Sequence, residues 1–506
     1  MEGPKNALLR EGLEKCTPKP ADACDISRRE RWLLAVTFAF CLLTVNTLFD
    51  AGAGAGWAAA VAGWYAVLYA SHGPALWRTG ESRFLLVTNL ALALFSLVLG
   101  SSDYFRMWDT LALLLVLLPV HTAGLSGGQK LPWWRPAMLW ERACLLLSGF
   151  FSRLGAFPAA LSPGRSGAGR RLGSAALGCA GAAALLAVLV PSLASADALF
   201  GLATADLRTL LDLHLTEAAA KTVAAAVMTP FFFSLVYSLR HPRPLPQPAE
   251  KPRRGADGLI FALMLAAAAA VYLLFLAVQT AGLFGGADYL AAKGLSYAEW
   301  ARSGFFQMVR VTALNLVLLL SAVHWSRREG AAWRAVRLLS AVLTAESLLL
   351  LLSAAVRMTL YVEAYGLSFK RLLTYWGMGM MALFLLAAAR KVRRPDFRFC
   401  RVAFPLALAG WLVLHCVPLD YLTAKDQVDR YLSGESASLS VEYLVSLSYD
   451  TLGPLSRLAG QTVWSDYSGA VEIDGILEKQ RADARSDCGD WRTWSLSAWL
   501  ASRGGA

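Results

Sequence analysis

The stretch "RMTLYVEAYGLSFKR", residues 357–371, divides two runs of almost pure hydrocarbon, 335–356 and 372–389. It carries two Arg, a Lys, a Glu and three aromatic rings. Each flanking run has the roughly 17–25 residues that a helix needs to cross a bilayer. Charge and Tyr between two such runs mark where a chain leaves the membrane and turns back. Outward from this turn the same pattern recurs at 32–49, 55–71, 84–100, 107–124, 172–194, 219–239, 259–284, 305–323 and 401–418. The expected fold is therefore all-α, a polytopic membrane helix bundle of about eleven transmembrane helices.

Composition agrees. The 506 residues are 56% hydrophobic and 17% charged, with mean hydropathy +0.47, where soluble domains carry about 25% charge. No soluble core could bury so many helices that are apolar all round. The net charge of +12 belongs to the membrane rather than to nucleic acid, because basic residues collect on the cytoplasmic side of spanning proteins. With the N-terminus inside, the inside segments hold 31 Lys and Arg, the outside loops 8 and the tail after Pro418 another 8. An N-in, C-out orientation follows, with the lipid bilayer as the principal partner and no nucleic acid.

The domains expected are a cytoplasmic N-terminal tail (1–31), a transmembrane domain (32–418) and an extracytoplasmic helical module (419–506). Within the second, 137–161 is too short between Arg142 and Arg153 to span and suits an interfacial cytoplasmic helix. The segment 240–255, with Pro at 242, 244, 246 and 248, is an extended cytoplasmic linker. In the module, Val428, Tyr431 and Leu432, then Val441, Leu444 and Leu447, fall at helical spacing. Ser440 and Asp450 stand where N-caps belong.

Four separated motifs, "EWARSGFFQMV" (299–309), "RMTLYVEAYGLSFKRL" (357–372), "AKDQVDRYLSG…LSVEYLVSLSYDTL" (424–452) and "DWRTWSLS" (490–497), resemble a bacterial family of polytopic membrane proteins, domain of unknown function 4173, related to the 4153 group. The resemblance implies a multi-pass protein of the bacterial cytoplasmic (inner) membrane. It implies no catalytic residue.

Ionisable side chains inside a bilayer cost about 2.5–3.5 kcal/mol on insertion scales and need a partner. Arg310 and Glu346 are the two expected within spans. On antiparallel neighbouring helices their depths differ by only about 6 Å at 1.5 Å per residue, which a long Arg can bridge. They are ligand or ion-pair candidates. Arg357, Tyr361, Glu363, Tyr365 and Arg371 form an outer rim. Such groups ordinarily anchor a helix end, but basic residues on the outer side also suit an anionic lipid headgroup or a lipid-linked ligand.

No metal site or cofactor is expected: the eight Cys include no C-x-x-C pair, and Asp212 and His214 point to different sides of a helix. A Cys416–Cys488 bridge is one option on an oxidising face. The chain lacks Walker, H-E-x-x-H, G-x-S-x-G and kinase motifs. Three functions remain: binding or transport of a small or lipid-like ligand; a sensor or regulatory scaffold whose 419–506 module meets a partner protein; and a transferase on lipid-linked substrates using Asp50. The first is preferred, and an enzyme is not the leading expectation.

Overall fold

The computed structural model describes residues 26–48, 54–99, 102–127, 131–161, 217–242, 256–284 and 305–504, with isolated positions between 175 and 182. The expected span 172–194, the 243–255 part of the linker, Asp50 and the Asp212/His214 loop lie outside the described residues. So does the tail before residue 26.

Helices form where the apolar runs predict them: α1 Arg28–Leu48, α2 Ala55–His72, α3 Gly80–Val98, α4 Asp103–Ala112 and α5 Leu118–Gly124, then α6 Ala137–Ser152, α7 Ala156–Leu161, α8 Glu217–Arg240, α9 Gly258–Phe284, α10 Phe305–Trp325, α11 Gly330–Tyr365, α12 Phe369–Arg393 and α13 Phe399–His415. A π-helical turn, Leu113–Leu117, joins α4 to α5. Among the described residues seven helices are long and apolar enough to cross a membrane. There are eight if α13 and α14 (Leu419–Leu432), bent by 48°, count as one span. The chain is an all-α membrane helix bundle.

Local chemistry sets the helix ends. Ser27 and Glu30 cap α1 reciprocally: the Glu30 carboxylate accepts from Ser27 N at 2.8 Å and Ser27 Oγ accepts from Glu30 N at 3.2 Å. Thr79 and Ser368 cap α3 and α12 with their side-chain oxygens. α11 is 36 residues long, about 54 Å. It outruns a bilayer core of about 30 Å and carries the first half of the 357–371 stretch as helix.

Two helix groups result. In one, α1, α2 and α8 pack around Phe40, Trp64 and Phe232, whose rings meet edge to face or tilted. The segment expected as one interfacial helix is α6 and α7, with α6 packed on α5 and α8. Its Arg142 is turned inward, 1% exposed. In the other group α9, α10 and α12 pack around α11.

The C-terminal module has its own core, including Val428, Leu439, Leu444, Leu455, Val463 and Leu477. It is not purely helical. Besides α14, α15 (Val441–Val445), α16 (Leu452–Ser456), α17 (Ile473–Gly489) and α18 (Leu496–Ser502), it holds an antiparallel hairpin, β1 Thr462–Ser465 paired with β2 Gly469–Glu472. "TVWS" alternates exposed and buried residues, the period-2 pattern of a strand. Ser440 precedes α15 but makes no side-chain cap, and Ser448, not Asp450, stands before the short helical turn Tyr449–Thr451. Cys416 and Cys488 are free thiols, so the optional bridge is absent.

The module meets the bundle where helices end on one side. Ala55 N and Gly56 N donate to the Trp494 and Arg492 carbonyls at 3.0 and 2.9 Å. A Cβ on Gly54 would come within 2.8 Å of the Thr493 and Trp494 carbonyl oxygens.

Candidate functional site

α11 presents Leu343, Glu346, Ser347 and Leu350 inward, the i, i+3, i+4, i+7 face of a helix. α10 presents Met308, Thr312, Asn315 and Leu319. The apolar members form two layers. One includes Leu265, Leu319, Leu343 and Val392; the other, nearer the module, includes Met308, Leu351, Met358 and Leu385. Between them lies a polar layer of Glu346, Ser347 and Asn315, with the Tyr272 hydroxyl near both Asn315 and Glu346.

The layer is incompletely satisfied. Asn315 Nδ2 donates to Ser347 Oγ at 3.0 Å, but Asn315 Oδ1, Ser340 Oγ and both Glu346 carboxylate oxygens have no hydrogen-bond partner. Glu346 is 3% exposed. A buried carboxylate without donors is strongly disfavoured when ionised, so it holds a proton or awaits a cation or donor. Thr312 and Thr344 add nothing to it, since both return their hydroxyls to carbonyls four residues back.

Arg310 is not that partner. It is exposed and two positions from buried Met308, hence about 200° around the helix from it. Depth allowed the pairing; rotation about α10 prevents it.

The rim residues divide differently. Arg371 stacks its guanidinium 4.3 Å from the Tyr361 ring centroid and 5.9 Å from that of Tyr365. It also donates to the Tyr365 carbonyl at 2.9 Å and to the Gly366 carbonyl, filling acceptors that the end of α11 leaves open. Arg357 is buried lower on α11. Glu363 leaves its side chain exposed, while its carbonyl accepts from Arg430.

The module covers this turn. Asp426 Oδ2 accepts from Leu367 N at 2.6 Å, Gln427 Nε2 donates to the Leu367 carbonyl at 2.7 Å, and Phe369 N donates to the Tyr443 hydroxyl at 3.0 Å. Rather than standing open, the 357–371 stretch forms a joint.

Three buried polar clusters escaped the sequence reading because their members are far apart in the chain. Asp109 of α4 binds His415 Nε2 at 2.7 Å and Trp411 Nε1 at 2.7 Å, while His415 Nδ1 donates to the Trp411 carbonyl at 2.8 Å. A carbonyl only accepts, so a proton must lie between His415 and Asp109. Asn89, Tyr65, His121 and Ser82 form a second chain, linked at 2.6, 2.8 and 2.8 Å and ending on the Leu76 carbonyl at 2.9 Å. Arg142 pairs with Glu81 at 2.5 Å and donates to the Val120 carbonyl at 2.8 Å. Polar side chains within apolar runs were their only signal.

In the module, Asp450 is pushed up to about 6, first by burial and then by the neighbouring Asp420 carboxylate. Among the described residues no group of three His, Cys, Asp or Glu is placed to hold a metal ion.

A family model described as "Domain of unknown function (DUF4153)" matches residues 84–458, about three quarters of the chain. The chain belongs to the DUF4153 family. The motif resemblance to the related 4173 group thus pointed to the neighbouring family name. The DUF4153 match takes in α3 to α13, the Glu346 layer, the Gly366 joint and the first part of the module. No curated protein and no solved structure matches the chain.

Proposed function

We propose that this DUF4153 protein binds and transports a small solute across a bacterial cytoplasmic membrane, with Glu346 as the group that exchanges a proton or cation. The observation that carries it is the Glu346 carboxylate, buried between two apolar layers of a spanning bundle with neither oxygen hydrogen-bonded. Intramembrane carboxylates are expensive and are kept where ions or protons move, and transporter sites sit near mid-membrane between packed helices. The N-in, C-out orientation and the bacterial inner membrane belong to the same proposal, supported by the Lys and Arg distribution.

Infrared difference spectroscopy in lipid tests it, together with pH-jump currents on a solid-supported membrane. The wild type should show a protonated carboxyl stretch and a charge displacement, and both should disappear in Glu346→Gln. An unchanged current in that variant would refute the role.

A sensor or regulatory scaffold is favoured by a different observation. The module grips the Gly366 turn, which ends the same helix that carries Glu346. A ligand or partner protein bound to 419–506 would act on that helix directly. Removing 419–506 tests this: a regulator would lose its response while keeping the pH-jump current. The transferase alternative rests on Asp50, outside the described residues, and gains no support. An anionic lipid at the rim would have to compete with α14 for the same turn.

A further inference from the structure

Within the α1–α8 group, apart from the Glu346 layer, lies a cavity of about 230 Å³. Its walls are almost wholly apolar and come from α1, α2, α5, α6, α8 and the π-helical turn, with Phe40, Val61, Leu118, Phe150 and Leu235 among them. An engineered apolar cavity of about 150 Å³ stays dry and takes up benzene, so this one has room for a hydrocarbon ligand.

Two wall residues carry polar groups without a partner, whereas Trp64 Nε1, also in the wall, donates to Thr122 Oγ1 at 2.9 Å. Trp57 is 4% exposed and its indole N–H has no acceptor; Thr44 is 7% exposed and its hydroxyl has no partner. The Thr44 case is unusual here. Thr37, Thr47, Thr88 and Thr229 return their hydroxyls to carbonyls four residues back, at 2.7 to 2.9 Å. An indole N–H can only donate, so whatever satisfies it must offer an acceptor oxygen.

Placement narrows the ligand. Thr44 is one turn from the module-side end of α1, and Trp57 is in the first turn of α2. Helix ends in such a bundle meet the headgroup region, where the ester oxygens of lipids sit. The wall from Leu114 to Thr122 then runs inward for about 12 Å. Leu114 lines the cavity yet is 46% exposed on a spanning segment, so the cavity reaches the lipid-facing surface there. It does so at the π-turn Leu113–Leu117, a distortion that is frequent at functional sites.

We propose that this cavity holds one acyl chain of a membrane glycerolipid, which enters past Leu114 and accepts hydrogen bonds from Trp57 and Thr44 through an ester oxygen. The bilayer supplies the ligand, and the chain fills a space that would otherwise deprive its walls of van der Waals contacts.

Photolabelling tests it, using full-length protein in nanodiscs of phosphatidylglycerol that carries a diazirine on one acyl chain. Peptide mapping should find label on the buried wall residues Leu118 and Leu235 as well as on lipid-facing Leu115. Ala60→Phe, which fills the cavity, should lower wall labelling at least fivefold and leave Leu115 unchanged. Thr44→Val, similar in shape but without the hydroxyl, should cut the lipid that survives delipidation in native mass spectrometry. Label confined to Leu115 and other exposed positions in the wild type would overturn the proposal, whether or not the variants fold. Wall labelling that persists in a folded Ala60→Phe protein would overturn it equally.

Discussion

Asp426 Oδ2 lies 2.9 Å from the point a Cβ would occupy on Gly366, and it accepts the backbone N–H of the next residue, Leu367, at 2.6 Å. Gly366 ends α11 at φ +73, where a side chain is strained in any surroundings. The joint between membrane bundle and module thus depends on a missing side chain twice, for its backbone conformation and for its contact.

Gly366→Ala should destabilise the joint by about 2 kcal/mol or more, from backbone strain of about 1–2 kcal/mol with the crowding of Asp426, Gln427 and Arg430 added. Limited proteolysis in detergent should release 419–506 sooner than from wild type. Asp426→Ala, which loses one charge-assisted bond and strains nothing, should have the smaller effect; the reverse order would contradict the joint described here.

Arg142 and Glu81 form a salt bridge with side-chain exposures of 2% and 22%. Breaking a fully buried pair by removing one partner costs about 3–5 kcal/mol. Water at Glu81 reduces this, so Arg142→Leu should cost about 2–3 kcal/mol and lower the melting temperature. Adding Glu81→Gln should restore part of the loss, because the stranded carboxylate is then gone.

Asp450 is raised to about 6 from an ordinary value of 3.8. Its folded state therefore favours the neutral acid. Stability from this group is full below about pH 4, falls as pH rises through 6 and is absent above. Asp450→Asn should accordingly stabilise the module at pH 7.5, by about 2–3 kcal/mol, and flatten that part of the pH–stability curve. Equal melting temperatures for variant and wild type at pH 7.5 would show that Asp450 is not held in this way.

Glu346→Gln should raise thermal stability at neutral pH while abolishing pH-driven currents, since an amide is neutral without having to take up a proton on burial. Opposite shifts in stability and activity would mark a group retained for function; a fall in both would mark a structural one.

The membrane architecture was legible in the chain because the bilayer demands runs of about twenty apolar residues, which need no partner to be recognised. Glu346 was legible for the same reason: a charge within such a run stands out. The Gly366 break was visible at the end of a helical spacing, and membership of a domain-of-unknown-function family was visible in separated motifs. That Arg310 leaves Glu346 unpaired was not, because depth follows from residue number whereas the facing of Arg310 follows from how α10 is rotated in the bundle. The β-hairpin was missed because "TVWS" and "GAVE" are only 4 residues each, and because exposed Trp464 and buried Ser465 reverse the polarity that would reveal the alternation.

By itself the sequence determined the helices, their order and the charge asymmetry on which the proposed orientation rests, since each is a property of consecutive residues in a hydrocarbon solvent. Tertiary structure alone decided that His415 meets Asp109, that Arg142 turns inward to Glu81, that the 357–371 stretch becomes a joint under α14, and that a cavity opens beside Leu114. Each of these depends on which faces of distant helices meet, and a bilayer that treats all apolar faces alike leaves that choice to packing and hydrogen bonding between helices.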